Sequence, residues 1–347
     1  MAFEGFPFIV GWELTLACNL RCKHCGSSAG QPRPNELTTE EALNICEQFP
    51  PLLVREVDFT GGEPLLRSDW PVIAARLIQL GVTTNVLTNG LRMDVGTVAR
   101  MKEVGISAVG VSLDGLAESH DSLRNHKGSF AAVLNSIALI QGASIPLNVI
   151  TTVNSTNLNE LPDLLSLLQS LGVRYWRLQP IISTGRVRSH SELQIDSASI
   201  LQLGRFIKTH RDEASREGMQ IICSDGLEYI DEEVGRERPW RGCSAGIAAF
   251  GITSQGKVKG CLSMPDEFVE GDLRESTLWD IWFHSNSFAY TRKFGKEQLG
   301  ANCMSCDKAM ECKGGCSSSS YCATGQFHND FPCFYKANAA AVMCTTQ

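Results

Sequence analysis

Three cysteines near the amino terminus, Cys18, Cys22 and Cys25, are separated by three and then two residues. Thiolates at this spacing share one loop and can hold metal together. A closed structural zinc site takes four protein ligands, whereas three leave one position of a metal or cluster open to a small molecule. His24 is a further donor in the same loop, wedged between two of the cysteines, and a zinc site that uses it is the alternative reading. A second set occupies the last third of the chain: Cys243, Cys261, Cys303, Cys306, Cys312, Cys316 and Cys333. Fourteen cysteines in 347 residues would suggest a disulfide framework in a secreted chain, yet only Cys46 and Cys223 lie between Cys25 and Cys243. Ligand clusters are bunched in this way, while staples are usually spread along a chain.

The first cluster needs elements to carry it. From residue 8 to 225 short β-branched runs alternate with amphipathic helical stretches, the pattern of a parallel sheet covered by crossover helices. Strands are predicted over 8–15, 54–60, 82–88, 107–113, 146–152 and 173–179. Helix starts are marked by Thr38 with Glu41, a capping box, by Ser68 before Trp70, Ile73, Ala74 and Leu77, and by Ser129. Gly81, Gly105 and Gly172 end three helices as left-handed caps do. Six units are too few for a closed eight-stranded barrel, so an α/β partial (β/α)6 barrel over residues 1–230 is expected, with Cys18 to Cys25 in the loop after its first strand. Active sites of such barrels sit at that end of the strands.

The segment DEEVGRERPW (231–240) breaks the pattern with mixed charge, Gly and Pro. Residues 241–347 have few long apolar runs, and their cysteines are expected to hold a small second domain together through metal. Cys46 shares a helix face with Leu43 and Phe49 and reads as a buried hydrophobe; Cys223, Cys322 and Cys344 read as structural or incidental. The net charge of -7 and pI near 5.6 give no bulk attraction to nucleic acid or an anionic membrane. No apolar stretch reaches membrane-spanning length, and the amino terminus carries Glu4 and no basic segment. A cytoplasmic protein with neither nucleic-acid nor membrane partner is expected.

Cys18-x3-Cys22-x2-Cys25 after a first strand resembles the radical S-adenosyl-L-methionine (SAM) superfamily. The resemblance implies that these cysteines hold a [4Fe-4S] cluster whose fourth iron is chelated by SAM, and that electron transfer to the sulfonium yields a 5'-deoxyadenosyl radical. His24 stands where the family usually has an aromatic residue toward the adenine. Gly61-Gly62-Glu63-Pro64 resembles the family's GGEP motif, which meets the SAM amino group; glycine there avoids a Cβ that would block the approach. Asn89 ends strand three, and Ser112, Asp114 and Arg124 follow strand four; Ser112 and Arg124 are implied to hold polar parts of SAM, Arg124 its carboxylate. Gln179, Gly185 and Arg186 are further candidates. Taken singly, GGEP reads as a turn, Asp114 as a helix cap and Arg124 as a solvated charge.

The second set resembles the SPASM domain, an extension of radical SAM enzymes with two auxiliary iron-sulfur clusters. The match rests on Cys243-x12-Gly256-x4-Cys261, Cys303-x2-Cys306-x5-Cys312-x3-Cys316 and Cys333. It implies an outer cluster on Cys303, Cys306, Cys312 and Cys333, and an inner one on Cys243, Cys261 and Cys316. A pair of zinc ribbons is the alternative. Some SPASM proteins supply a fourth inner ligand six residues after the first cysteine; here that residue is Ala249. An inner cluster with one open iron is therefore expected, with Cys223 as the other candidate ligand.

The function implied by resemblance is an oxidoreductase that modifies or cross-links a ribosomally made precursor peptide. Small-molecule or cofactor maturation, such as tetrapyrrole side-chain oxidation, is the alternative, followed by sulfatase maturation and a non-catalytic metal-binding scaffold. Seventeen residues precede Cys18, so leader recognition is expected to fall to a separate leader-binding protein or to the SPASM surface. An electron donor such as flavodoxin or ferredoxin completes the implied partners.

Overall fold

The computed structural model describes residues 5–227, 230 and 241–345, without the side chains of 342–345. Strands β1 (Ile9–Thr15), β2 (Glu56–Gly61), β3 (Thr83–Thr88), β4 (Ala108–Ser112), β5 (Leu147–Val153), β6 (Tyr175–Pro180) and β7 (Gln220–Cys223) are parallel and adjacent in chain order. Each predicted strand is present within two residues at either end. The four-residue β7 is additional and places a seventh parallel strand at the edge.

The helices between them are α1 (Thr39–Cys46), α2 (Trp70–Gln79), α3 (Val95–Val104), α4 (Ala117–Arg124), α5 (Ser129–Gly142), α6 (Leu161–Ser170) and α7 (Ser197–Arg216). The Thr38–Glu41 capping box forms as read, Thr38 Oγ1 accepting from the Glu41 amide at 3.2 Å and Glu41 accepting from the Thr38 amide at 2.8 Å. Asp69 rather than Ser68 occupies the N-cap position of α2, without a side-chain capping bond, and Ser129 is the first residue of α5 rather than its cap. Gly81, Gly105 and Gly172 all have positive φ. Alternation on the strands sends Trp12, Val57 and Phe59 under the helices, where Trp12 meets Phe49 and Phe59 edge-on. Cys46 is fully buried in that layer, as its helix face required. The opposite face carries Glu13, Asp58, Thr60, Asn85, Arg177 and Gln179 and looks into the concave side.

The boundary read at 231–240 lies outside the described residues. Beyond it, β8 (Ala249–Ile252) pairs in parallel with β1, Ile9 opposite Ala249, and β9 (Lys257–Lys259) and β10 (Val269–Asp272) continue antiparallel. The cysteine-rich segment is thus hydrogen-bonded into the barrel's own sheet at its start. Ser254 N and Oγ both donate to Glu13 Oε1, at 3.1 and 2.9 Å, and Arg274 pairs with Glu41. Helix α8 (Phe334–Thr345) returns to α7, where Phe334 lies over Gly204: a Cβ there would stand 2.0 Å from the ring. Among the described residues no helix is long and apolar enough to cross a membrane.

Candidate active site

The three amino-terminal cysteines lie in the loop after β1, and the loop is closed by its own backbone. The Cys18 amide donates to Gly30 O at 3.0 Å, and Gly30 N to Leu16 O at 2.9 Å. Arg186, from the turn after β6, donates through Nε to Cys22 O at 2.7 Å and through Nη1 to Ala29 O at 2.8 Å. Its neighbour Gly185 has φ +56 and packs so closely that a Cβ would stand 2.2 Å from Gly26 O. The turn after β6 is therefore a brace for the cysteine loop.

The loop after β2 is pressed against the same segment. Gly62 donates to Thr15 O and Glu63 to Ala17 O, both at 2.8 Å, and a Cβ on Gly62 would stand 2.1 Å from Ala17 O. Backbone contact alone thus requires glycine there. Glu63 is fully buried behind this turn, accepting from Thr88 Oγ1 and the Asn89 amide at 2.9 Å. Burial pushes its carboxyl up to about 7 despite those bonds. It locks the ends of β2 and β3 together.

N–H groups are aimed at all three sulfurs. Leu20 N lies 3.4 Å from Cys18 Sγ, Ala29 N 3.4 Å from Cys25 Sγ, and Arg124 Nη1 3.9 Å from Cys22 Sγ; Asn89 Nδ2 is 3.8 Å from Cys18 Sγ. Such donors favour thiolates over thiols. Burial acts the other way, pushing Cys18 up to about 11 and raising Cys22, so the protons leave when a metal replaces them. This donor set, open on one side to a cavity, fits an iron-sulfur cluster with one free position.

That cavity has a volume of about 350 Å³. His24, Gly61, Gly62, Asn89, Ser112 and Arg124 line it with the cysteines, as do Gln179 and Arg186. Glu63, Pro64 and Asp114 are buried behind its wall. Asp114 is the hub of a buried network: its Oδ2 is 3.0 Å from His24 Nε2 and pairs with Arg124 Nη2, while its amide donates to His120 Nδ1 at 3.0 Å. Burial opposes ionisation of Asp114, but Arg124 and His24 outweigh it and hold the carboxyl well below the carboxylate range. Asp114 thereby orients the imidazole of His24 and the guanidinium of Arg124, both of which line the cavity, a role that neither a helix cap nor a solvated charge describes.

The second cysteine set divides in two. Cys303, Cys306, Cys312 and Cys333 surround a small cavity together with Asp330. Elsewhere Cys243 and Cys316 are close enough for their thiols to influence each other, and Cys261 is close enough to feel the charge of Cys243. The neighbouring thiol of Cys316 favours the thiolate of Cys243, and Cys316 is raised in turn. Neither group contains a disulfide; all thirteen cysteines within the described residues are free. These are the two groupings implied for an outer and an inner cluster. Cys223 ends β7, and its Sγ accepts from Arg211 Nη2 at 2.8 Å.

Some residues of the cavity were not anticipated. Glu13 is held by Arg33 at 2.8 Å, and Leu262, Ser263 and Asp225 close the side toward the cysteine-rich segment. Arg177 projects from β6 into the cavity with no hydrogen bond or ion pair to the described residues. It stands two positions before Gln179, so strand alternation was a signal that could have found it.

An open parallel sheet with a three-cysteine loop at its carboxyl edge, followed by grouped cysteines, defines a cluster-dependent enzyme class. Residues 12–168 match the radical SAM superfamily and residues 243–307 the SPASM iron-sulfur cluster-binding domain. The chain belongs to the radical SAM superfamily and carries a SPASM domain; it is an enzyme whose cofactors are [4Fe-4S] clusters and SAM. It is 29% identical to the AdoMet-dependent heme synthase of Methanosarcina barkeri over 97% of this chain and 99% of that protein. It is 27% identical to the PqqA peptide cyclase of Granulibacter bethesdensis, over 90% of this chain and 83% of the other. Among solved structures, native anSMEcpe with bound AdoMet superposes with a TM-score of 0.75 at 16% identity, covering 96% of this chain and 95% of that one. At that identity the likeness concerns the fold.

Proposed function

We propose that the chain removes a hydrogen atom from a carboxylate-bearing substrate, with the side chain of a tetrapyrrole as the leading substrate class. The observation that carries this reading is Arg177, a cavity guanidinium with no bonded partner among the described residues. Arginine matches a carboxylate through parallel hydrogen bonds, and the low-dielectric wall strengthens the pairing. The alignment with the heme synthase, which spans nearly the whole of both chains, favours a tetrapyrrole over a peptide. A second reading, an acidic residue of a precursor peptide, is supported by the likeness to the PqqA peptide cyclase and would call for a separate leader-binding protein.

In this reading Cys18, Cys22 and Cys25 hold the first cluster, and the two groups of the carboxyl-terminal region hold two more. A cluster with SAM on its free iron supplies the 5'-deoxyadenosyl radical. The chain's own residues do the rest. Arg186 holds the loop in place, Asp114 fixes His24 and Arg124 at the SAM end, Asn89 and Ser112 offer polar contacts, and Arg177 places the substrate. A flavodoxin or ferredoxin of the cytoplasm is the proposed electron donor. The test is anaerobic incubation with SAM, reductant and either an iron-bound propionate porphyrin or an acidic peptide. Substrate-dependent 5'-deoxyadenosine with a mass change in the porphyrin is expected, and Arg177→Met should raise KM more than tenfold. Turnover of the peptide alone would overturn the leading reading.

A further inference from the structure

The inner group has three cysteines and Ala249 where a fourth could stand. Ala249 is fixed in β8 opposite Ile9 and offers no donor atom. Cys223 is engaged with Arg211 at the end of β7. Two residues further on, the chain turns with Asp225 at φ +59, in the left-handed region that Asp adopts more readily than most residues. The turn carries the chain to the inner group: a Cβ on Gly226 would stand 4.0 Å from Cys316 Cβ. Asp225 also lines the cavity beside Leu262 and Ser263, the residues that follow Cys261.

The Asp225 carboxylate accepts no hydrogen bond within the described residues, and the residue lies between the end of β7 and the Gly226 turn that meets Cys316, on the cavity wall that Ser263 also lines two positions after Cys261. Arg177 influences it without reaching ion-pair distance. A carboxylate next to the turn that meets a three-cysteine group, with no partner of its own among the described residues, has the chemistry of an iron ligand. We infer that Asp225 is the fourth protein ligand of the inner auxiliary cluster, supplied by the connection between β7 and the cysteine-rich segment. The inference rests on the assignment of Cys243, Cys261 and Cys316 to one cluster. Binding exchanges the carboxyl proton, if present, for iron, with no change of oxidation state. An inner cluster closed in this way transfers electrons and shapes the cavity wall; substrate does not bind its iron.

The test uses the full-length, anaerobically reconstituted protein with SAM saturating the first cluster, and cyanide as a probe for a free iron site. The wild-type inner-cluster electron paramagnetic resonance (EPR) signal should be indifferent to cyanide. Asp225→Asn should shift that signal and make it cyanide-sensitive, while Asp225→Cys should restore indifference with a changed g-tensor. Cys223→Ala should change neither iron content nor signal. Cyanide sensitivity already in the wild type, or an Asp225→Asn spectrum identical to wild type, would overturn the assignment. If Asp225→Asn does not fold, retained iron with an unshifted signal in Asp225→Cys overturns it equally. Failure of the cluster assignment itself looks different: about eight irons per chain rather than about twelve, and no loss of iron on Cys261→Ala.

Discussion

The two cysteine regions are built on opposite principles. The amino-terminal loop is held by hydrogen bonds that need no metal, from Gly30, Arg186 and the Gly62–Glu63 turn, and it sits at the edge of a core containing Trp12, Phe49 and Phe59. Around the outer group the apolar cluster is Leu299, Cys303 and Ala309, with Phe294 and Cys306 packed against it. Two of its five members are themselves candidate ligands. Where a large core supports a site, metal is an addition to a finished fold; where the core is this small, metal becomes part of the fold.

The largest effect should come from attacking that difference directly. Cys312→Ala, or chelation of iron, should abolish amide protection across residues 300–333 while β1 to β6 keep theirs, read by hydrogen exchange. Equal loss in both regions would break the contrast. Replacing Cys18, Cys22 and Cys25 together by Ala should remove about four irons and abolish SAM cleavage. It should move the thermal midpoint by less than about 4 °C, the shift of about 1 kcal/mol in a large domain.

Arg124→Ala should weaken SAM binding by about 1.5 to 3 kcal/mol, roughly ten- to a hundredfold, by the usual worth of hydrogen bonds to charged groups. Titration calorimetry on the loaded protein checks it; unchanged affinity would count against a SAM-facing role.

A further effect concerns Glu63, whose carboxyl burial raises from 4.5 to about 7. The folded state then holds a proton that the unfolded state releases. Stability should decline as pH rises from about 4.5 to about 7 and level off above, and Glu63→Gln should flatten that slope in melting curves.

Much of this architecture was legible in the sequence because strand alternation and helix caps are local signals. The strands that escaped are the ones that local signals do not reach. β7 has four residues, and β8 forms by pairing with β1 from more than two hundred residues away, with β9 and β10 added to it in turn. In the site, the cysteines stood out because thiols at fixed spacing are chemically conspicuous. Arg177 and Asp225 are single residues of common types; strand alternation pointed to the face that Arg177 occupies, whereas only the folded chain shows that Asp225 lines the same cavity. Glu63 and Asp114 were conspicuous in type, yet their depth behind the wall depends on neighbouring strands that sequence spacing does not encode.

The most direct measurement is the iron, acid-labile sulfide and zinc content of anaerobically purified protein, followed by SAM cleavage under reductant. Three four-iron clusters require about twelve irons per chain with matching sulfide, together with 5'-deoxyadenosine formation that disappears in the Cys18, Cys22, Cys25 triple variant. Stoichiometric zinc with little iron or sulfide, and no cleavage of SAM, would contradict it.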